Sequence, residues 1–115
     1  MPWKALFALR NAARGVRFMF AELSIRLLAA GTLLTVGAGA YFRISALEWC
    51  AALLALGLIW AAEGLNTALE RLTDLVSPGY HPLAGMAKDI AAGAVLLAAV
   101  AAVLVGAVIF GPRFV

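Results

Sequence analysis

The run from Ile90 to Pro112 contains no charged residue, and that stretch decides the solvent. About 20 apolar residues, rising 1.5 Å each, cross the roughly 30 Å hydrocarbon core of a bilayer. Two further stretches behave alike: Leu23 to Tyr41 is broken only by Arg26, and Trp49 to Ala62 is closed by Glu63. Composition agrees. Across 115 residues, 65% belong to the apolar and aromatic set, 13% are charged, and mean hydropathy is +1.01. A soluble domain carries about a quarter charged residues, and so short a chain cannot hide this much apolar surface in one core. Disordered chains are polar and charge-rich, the reverse of this one. The expected fold is an all-α integral membrane protein forming one domain over residues 1–115. It has an N-terminal helix over 2–21 and transmembrane helices at about 23–42, 47–76 and 88–110. None of the spans reads as a cleavable signal, because no small-residue cleavage site follows a short apolar core.

The opening segment has its own period. Leu6, Leu9, Ala13, Val16 and Phe20 recur at helical spacing as one apolar stripe, and Arg10, Arg14 and Arg17 form a basic stripe beside it. Such a helix lies in the membrane interface, with its arginines among the lipid phosphates; the plainer alternative is that the arginines only set topology. The basic residues place the N-terminus inside, the turn near Arg43 to Glu48 outside, the second connection inside and the tail with Arg113 outside. The second connection, Ser77-Pro78-Gly79-Tyr80-His81-Pro82, breaks any continuous helix. The net charge of +3 is therefore read as membrane-surface contact, with no nucleic-acid partner. Cys50 stands alone between Trp49 and Ala51, which excludes an intrachain disulfide and suggests a buried apolar position.

The second span carries acids where lipid should exclude them. At 100° per residue, Glu63, Asn66, Glu70 and Asp74 fall at about 0°, −60°, −20° and +20°, one narrow face of the helix. If the helix begins near Glu48, Glu63 lies about 22 Å along it, below the interface. An ionisable residue at such depth is a functional hypothesis by default, and like charges one or two turns apart add repulsion. Plainer readings exist: Glu70 and Asp74 as a solvated helix end beside Arg71, and Asn66 as a hydrogen bond between helices. Several carboxylates with an amide at a membrane boundary suit a divalent cation held by oxygen, with one carboxylate left to take a proton. Mg²⁺ takes one or two carboxylates and completes its shell with water and substrate phosphates. Partial burial raises a carboxylate's basicity, as a general base requires.

A phosphate also needs a cation. Lys88, beside Asp89 and just before the third span, is the candidate, and a helix N-terminus at that place would add its dipole; a simple topology charge is the alternative. Glu22 lies at the junction of the first helix and the first span. It reads either as a metal ligand from a second helix or as the partner of Arg26 in an i,i+4 ion pair. His81 reads as an exposed turn residue, since no second His or Cys supports a metal role. No P-loop is present, because Met86 follows Gly85 where Lys would be required, and the glycine loop of protein kinases is missing too.

The run Glu63-Gly-Leu-Asn-Thr-Ala-Leu-Glu-Arg-Leu-Thr-Asp, the His81 loop and Ala87-Lys88-Asp89 before the last helix closely resemble the prokaryotic diacylglycerol kinase family. Its pattern is E-x-x-N-[ST]-A-[IL]-E-x-x-x-D, then a loop with His, then A-K-D. The likeness runs from about Trp49 to the end and loosely over the first 45 residues. The stretches Asp74 to Ala84, Gly106 to Arg113 and Ile44 to Trp49 look more like the branch that phosphorylates undecaprenol than the branch acting on diacylglycerol. The resemblance implies Glu63 as catalytic base, Glu70 and Glu22 as metal ligands at the ATP site, and Asn66, Lys88 and Asp89 as further ATP-binding positions. Asp74 and Arg26 match supporting positions. It also implies Mg²⁺ with ATP as co-substrate, a membrane lipid as acceptor, a homotrimer with sites shared between subunits, and a bacterial cytoplasmic membrane with the site on the cytosolic side. Two features depart from the pattern: the Gly15–Glu22 interval is one residue short, and Leu28 stands where a polar Glu or His is usual. The reading of the residues leaves two other classes open. A small ion-coupled transporter would explain Glu63 without explaining Lys88 and Asp89, and a scaffold would use only small-residue packing such as Ala91 and Ala98.

Overall fold

The computed structural model describes residues 2–115, which form four helices: α1 (Pro2–Met19), α2 (Leu23–Phe42), α3 (Ala46–Val76) and α4 (Pro82–Phe114). Three of them, α2, α3 and α4, are long and apolar enough to cross a membrane. The last two reach about 45–50 Å at the helical rise, so their ends outrun the hydrocarbon and carry the polar residues.

Each helix end has a local cause. α2 stops because Arg43 takes the left-handed conformation at φ 53°. Its N–H and that of Ile44 then donate back to Ala40 and Gly39 carbonyls at 3.3 and 3.1 Å, a helix ending usually given to glycine. Two residues later Ser45 starts α3 with a reciprocal cap: the Glu48 N–H donates to Ser45 Oγ at 3.1 Å, and the Ser45 N–H donates to Glu48 Oε1 at 2.9 Å. The α2–α3 turn is tight enough that a Cβ on Gly39 would sit 2.7 Å from the Trp49 ring; glycine is what lets the helices close. Beyond α3, Ser77 to His81 form the break. His81 caps α4, its Nδ1 accepting from the Leu83 N–H at 3.1 Å, and Pro82 follows in the first turn, where its missing N–H costs nothing.

α4 folds back along α3, burying Ala91 and Ala98, while Ile44, Ala52 and Ile109 make a small apolar cluster with Phe42, Trp49 and Phe110. α2 lies on another flank of α3, tied there by Trp60 Nε1 donating to Thr32 Oγ1 at 2.9 Å. Most large apolar side chains face outward, among them Leu33, Leu34, Leu54, Leu97 and Val108. Helices with satisfied backbones and apolar exteriors are what a bilayer admits.

Three expectations are corrected. Cys50 is exposed: in lipid an apolar residue need not be covered by protein. α1 ends at Met19, and Phe20 to Glu22 form an elbow instead of a last helical turn. α4 starts at Pro82 and not near residue 88, because a proline at a first turn begins a helix as readily as it breaks one.

Candidate active site

The acidic face of α3 lies between two neighbours. Trp60, one turn before the stripe, reaches α2 through Thr32. On the other side α3 and α4 line an apolar groove of about 750 Å³, bounded by Leu58, Leu65, Leu69, Ile90 and Leu97 and broken only by Asn66. Glu63 and Asn66 are half-buried, whereas Glu70 and Asp74 are exposed. The stripe thus grades from sheltered to wet along the helix.

Four contacts organise it. Ser24 Oγ, in the first turn of α2, donates to Glu63 Oε2 at 3.4 Å. Asn66 Nδ2 donates to Glu70 Oε1 at 3.1 Å, a bond within α3; among the described residues Asn66 makes no hydrogen bond to another helix. Glu22 Oε1 accepts from Arg71 Nη2 at 3.0 Å. Arg71 directly follows Glu70, so this pair sets the elbow against the same turn of α3. Lys88 Nζ meets Asp74 Oδ1 at 2.5 Å, joining α4 to the end of the stripe. Beside that pair is a small polar hollow lined by Thr73, Ser77, His81 and Gly85.

The site residues fare differently. The Glu22–Arg26 ion pair does not form. Arg26 instead donates from Nε to the Phe20 carbonyl at 2.9 Å and from Nη2 to that of Ala21 at 3.4 Å, because the turn before α2 leaves those carbonyls unpaired within reach. Lys88 is in the second turn of α4, not at its N-terminus, so the helix dipole is not focused on its ammonium. Asp89 is exposed and lies outside the Asp74–Lys88 pair. The sequence offers Arg71 only as a charge beside Glu70 and Asp74, and gives no sign of its pairing with Glu22 or of Ser24's with Glu63. Both partnerships join residues some forty or more positions apart, beyond any periodicity.

Among the described residues no three His, Cys, Asp or Glu side chains meet closely enough to cage a metal. The donors offered are nevertheless all oxygen. They include Asn66 Oδ1, a buried amide oxygen with no hydrogen-bond partner among the described residues. A hard cation that takes only one or two carboxylates from protein and the rest from water and phosphate fits this set; a tetrahedral zinc site does not.

Residues 10–110 match the family model described as "Prokaryotic diacylglycerol kinase". The chain is 36% identical over 104 residues to the undecaprenol kinase of Bacillus subtilis, covering 90% of this chain and 85% of that one. It is 40% identical over 109 residues to the diacylglycerol kinase of Synechocystis, covering 93% of this chain and 62% of that protein. To the diacylglycerol kinase of Escherichia coli it is 29% identical over 93 residues, covering 81% and 76%.

Proposed function

As this chain belongs to the prokaryotic diacylglycerol kinase family, we propose that it transfers the γ-phosphate of Mg·ATP to the hydroxyl of undecaprenol. It is an ATP-dependent lipid kinase with membrane-spanning helices, which decides against the transporter and the scaffold. The observation that carries the reaction is the graded stripe on α3. Its half-buried carboxylate, Glu63, lies toward the apolar middle of α3, and its exposed acids, Glu70 and Asp74, lie toward the helix's C-terminal end.

Glu63 accepts the proton of the lipid hydroxyl as that oxygen attacks the γ-phosphorus and the bond to the ADP oxygen breaks. Ser24, whose hydroxyl donates to Glu63 Oε2 at 3.4 Å, orients that carboxylate. Glu22 and Glu70 would hold Mg²⁺, with Asn66 fixing Glu70. When bound, the ion offsets phosphate charge, the main need in phosphoryl transfer. Lys88 presents its ammonium to the phosphates, aimed by Asp74, and Asp89 is a further ATP-binding position in our reading. The lipid tail lies in the apolar groove of about 340 Å³ among α2, α3 and α4, whose lining residue Ile59 is one turn from Glu63.

The preference for undecaprenol is supported by the segments around Asp74–Ala84 and Gly106–Arg113 and by the Bacillus relative. Diacylglycerol is the second reading, favoured by the 40% identity to the Synechocystis enzyme. We further place α1 in the cytosolic interface, since Arg10, Arg14 and Arg17 are all exposed on it, and take the assembly to be a homotrimer in a bacterial cytoplasmic membrane. Purified protein in vesicles, given Mg·ATP with either lipid, tests the reading. Faster phosphorylation of undecaprenol is expected. Faster phosphorylation of diacylglycerol reverses the preference, and transfer to neither lipid overturns the reaction.

A further inference from the structure

We propose that Arg71 is a positioning residue, whose salt bridge to Glu22 latches the α1–α2 elbow onto α3 beside its acidic face. Glu22 precedes the first residue of α2 in extended conformation, φ −85° and ψ 135°, the place where a side chain normally accepts a hydrogen bond from the helix's own first turn. Its carboxylate makes no such bond. It reaches instead to Arg71, 3.0 Å away on α3.

Besides this pair, apolar contacts and one hydroxyl hold the elbow region to α3: the Phe20 ring against Trp60 with centroids 5.8 Å apart, and Ser24 to Glu63 at 3.4 Å; Arg71 supplies its ion pair. Its backbone bonds stay within the turn and do not reach α3: the Phe20 N–H to Arg17 and the Ala21 N–H to Phe18 at 3.2 Å, the Glu22 N–H to Met19 at 3.0 Å, and the Arg26 N–H to Glu22 at 3.3 Å. Arg26 braces the turn from within but binds only its own carbonyls. α1 is exposed along nearly its whole length and meets α3 at its final turn, where Met19 lies over Gly64. Gly64, Ala68 and Arg71, at steps of four and three, line the α3 side of an open groove of about 480 Å³ that faces α1. Arg71 is the charged member of that face. Removing its guanidinium leaves Glu22 free to swing with the elbow, away from Glu70 on the same turn.

The second half of the inference rests on the kinase reading: by holding Glu22 against the turn of α3 that carries Glu70, Arg71 sets the affinity for Mg·ATP without touching the reacting atoms. Both partners are about half exposed, at 54% and 43%, so the effect is modest. An exposed ion pair changes an equilibrium by roughly two- to fivefold.

The test uses the full chain in lipid nanodiscs, free of metal and nucleotide, with amide hydrogen exchange as readout. In Arg71→Ala the amides of Ala21 to Arg26 should exchange several-fold faster while Ala91 to Ala98 in α4 stay unchanged; Arg71→Lys should recover part of the protection. The reversed pair, Glu22→Arg with Arg71→Glu, should restore it although it lacks the acid. Unchanged elbow exchange in Arg71→Ala, or no recovery in the reversed pair, overturns the latch whatever the activity. On the same samples the KM for Mg·ATP should rise about three- to fivefold in Arg71→Ala with kcat within twofold. A looser elbow with unaltered KM overturns the role toward nucleotide. Absence of lipid phosphorylation by the unsubstituted protein would count against the kinase reading, and the exchange measurements would still decide the latch.

Discussion

The two charged ends of the helical bundle are built on opposite principles. At one end Glu48 and Arg113 pair through both guanidinium nitrogens, at 2.8 and 2.9 Å, with each side chain only 27% exposed. The same Glu48 completes the Ser45 cap, and Arg113 also donates to the Ile109 carbonyl. At the same end Phe42 meets the rings of Phe110 and Phe114, joining α2 to α4. At the other end Glu63, Glu70, Glu22 and Asp74 are held by single bonds to partners on four different elements or turns, and Asn66 Oδ1 has no partner among the described residues. A bidentate pair with its remaining atoms satisfied ties helices together. Acids held by one bond each keep lone pairs free for something that arrives from outside. One end is closed upon itself, and the other keeps acceptor atoms free.

Substitutions at the two ends should therefore fail in different ways. Glu63→Gln keeps the shape and the Ser24 contact but cannot accept a proton. Phosphorylation should fall by roughly 10²–10⁴-fold with the melting profile unchanged; near-normal turnover would remove Glu63 as base. Lys88→Ala should cost about 10–100-fold, with the larger share in KM for Mg·ATP, measured by steady-state kinetics across nucleotide concentration. Arg113→Ala should do the reverse. The detergent-solubilised protein should melt about 2–5 °C lower, while turnover per folded molecule stays within twofold. Reduced turnover at full folding would mean that the two ends are coupled. The smallest effect belongs to Asp74→Asn, which leaves Lys88 charged but less well aimed. Because the pair is exposed, a two- to fivefold rise in KM is expected, and salt should shrink the difference between variant and wild type.

Reading the chain went furthest where cause and effect lie within a few turns. The stripe on α3 follows from 3.6-residue periodicity alone, and the polar character of Glu63 stands out because everything around it is apolar. The span of α2 from Leu23 follows from the apolar run broken only by Arg26, and the Pro78-to-Pro82 stretch marks where α3 must end. The start of α4 was misplaced because Pro82 was read as a breaker, although proline is equally at home in a helix's first turn. Arg26 was matched to Glu22 on helical spacing, but Glu22 stands at the elbow before α2 begins and turns its carboxylate toward α3.

Local chemistry along the chain thus dictated the solvent, the helices and which face of α3 carries acid, since hydrophobic length and helical phase act between near neighbours. Packing decided the partners: Arg71 for Glu22, Ser24 for Glu63, Asp74 for Lys88 and Arg113 for Glu48. Charges and hydroxyls find whichever complement the folded helices bring within about 3 Å. Nothing in the order of residues states which helix will lie alongside which until the chain has closed.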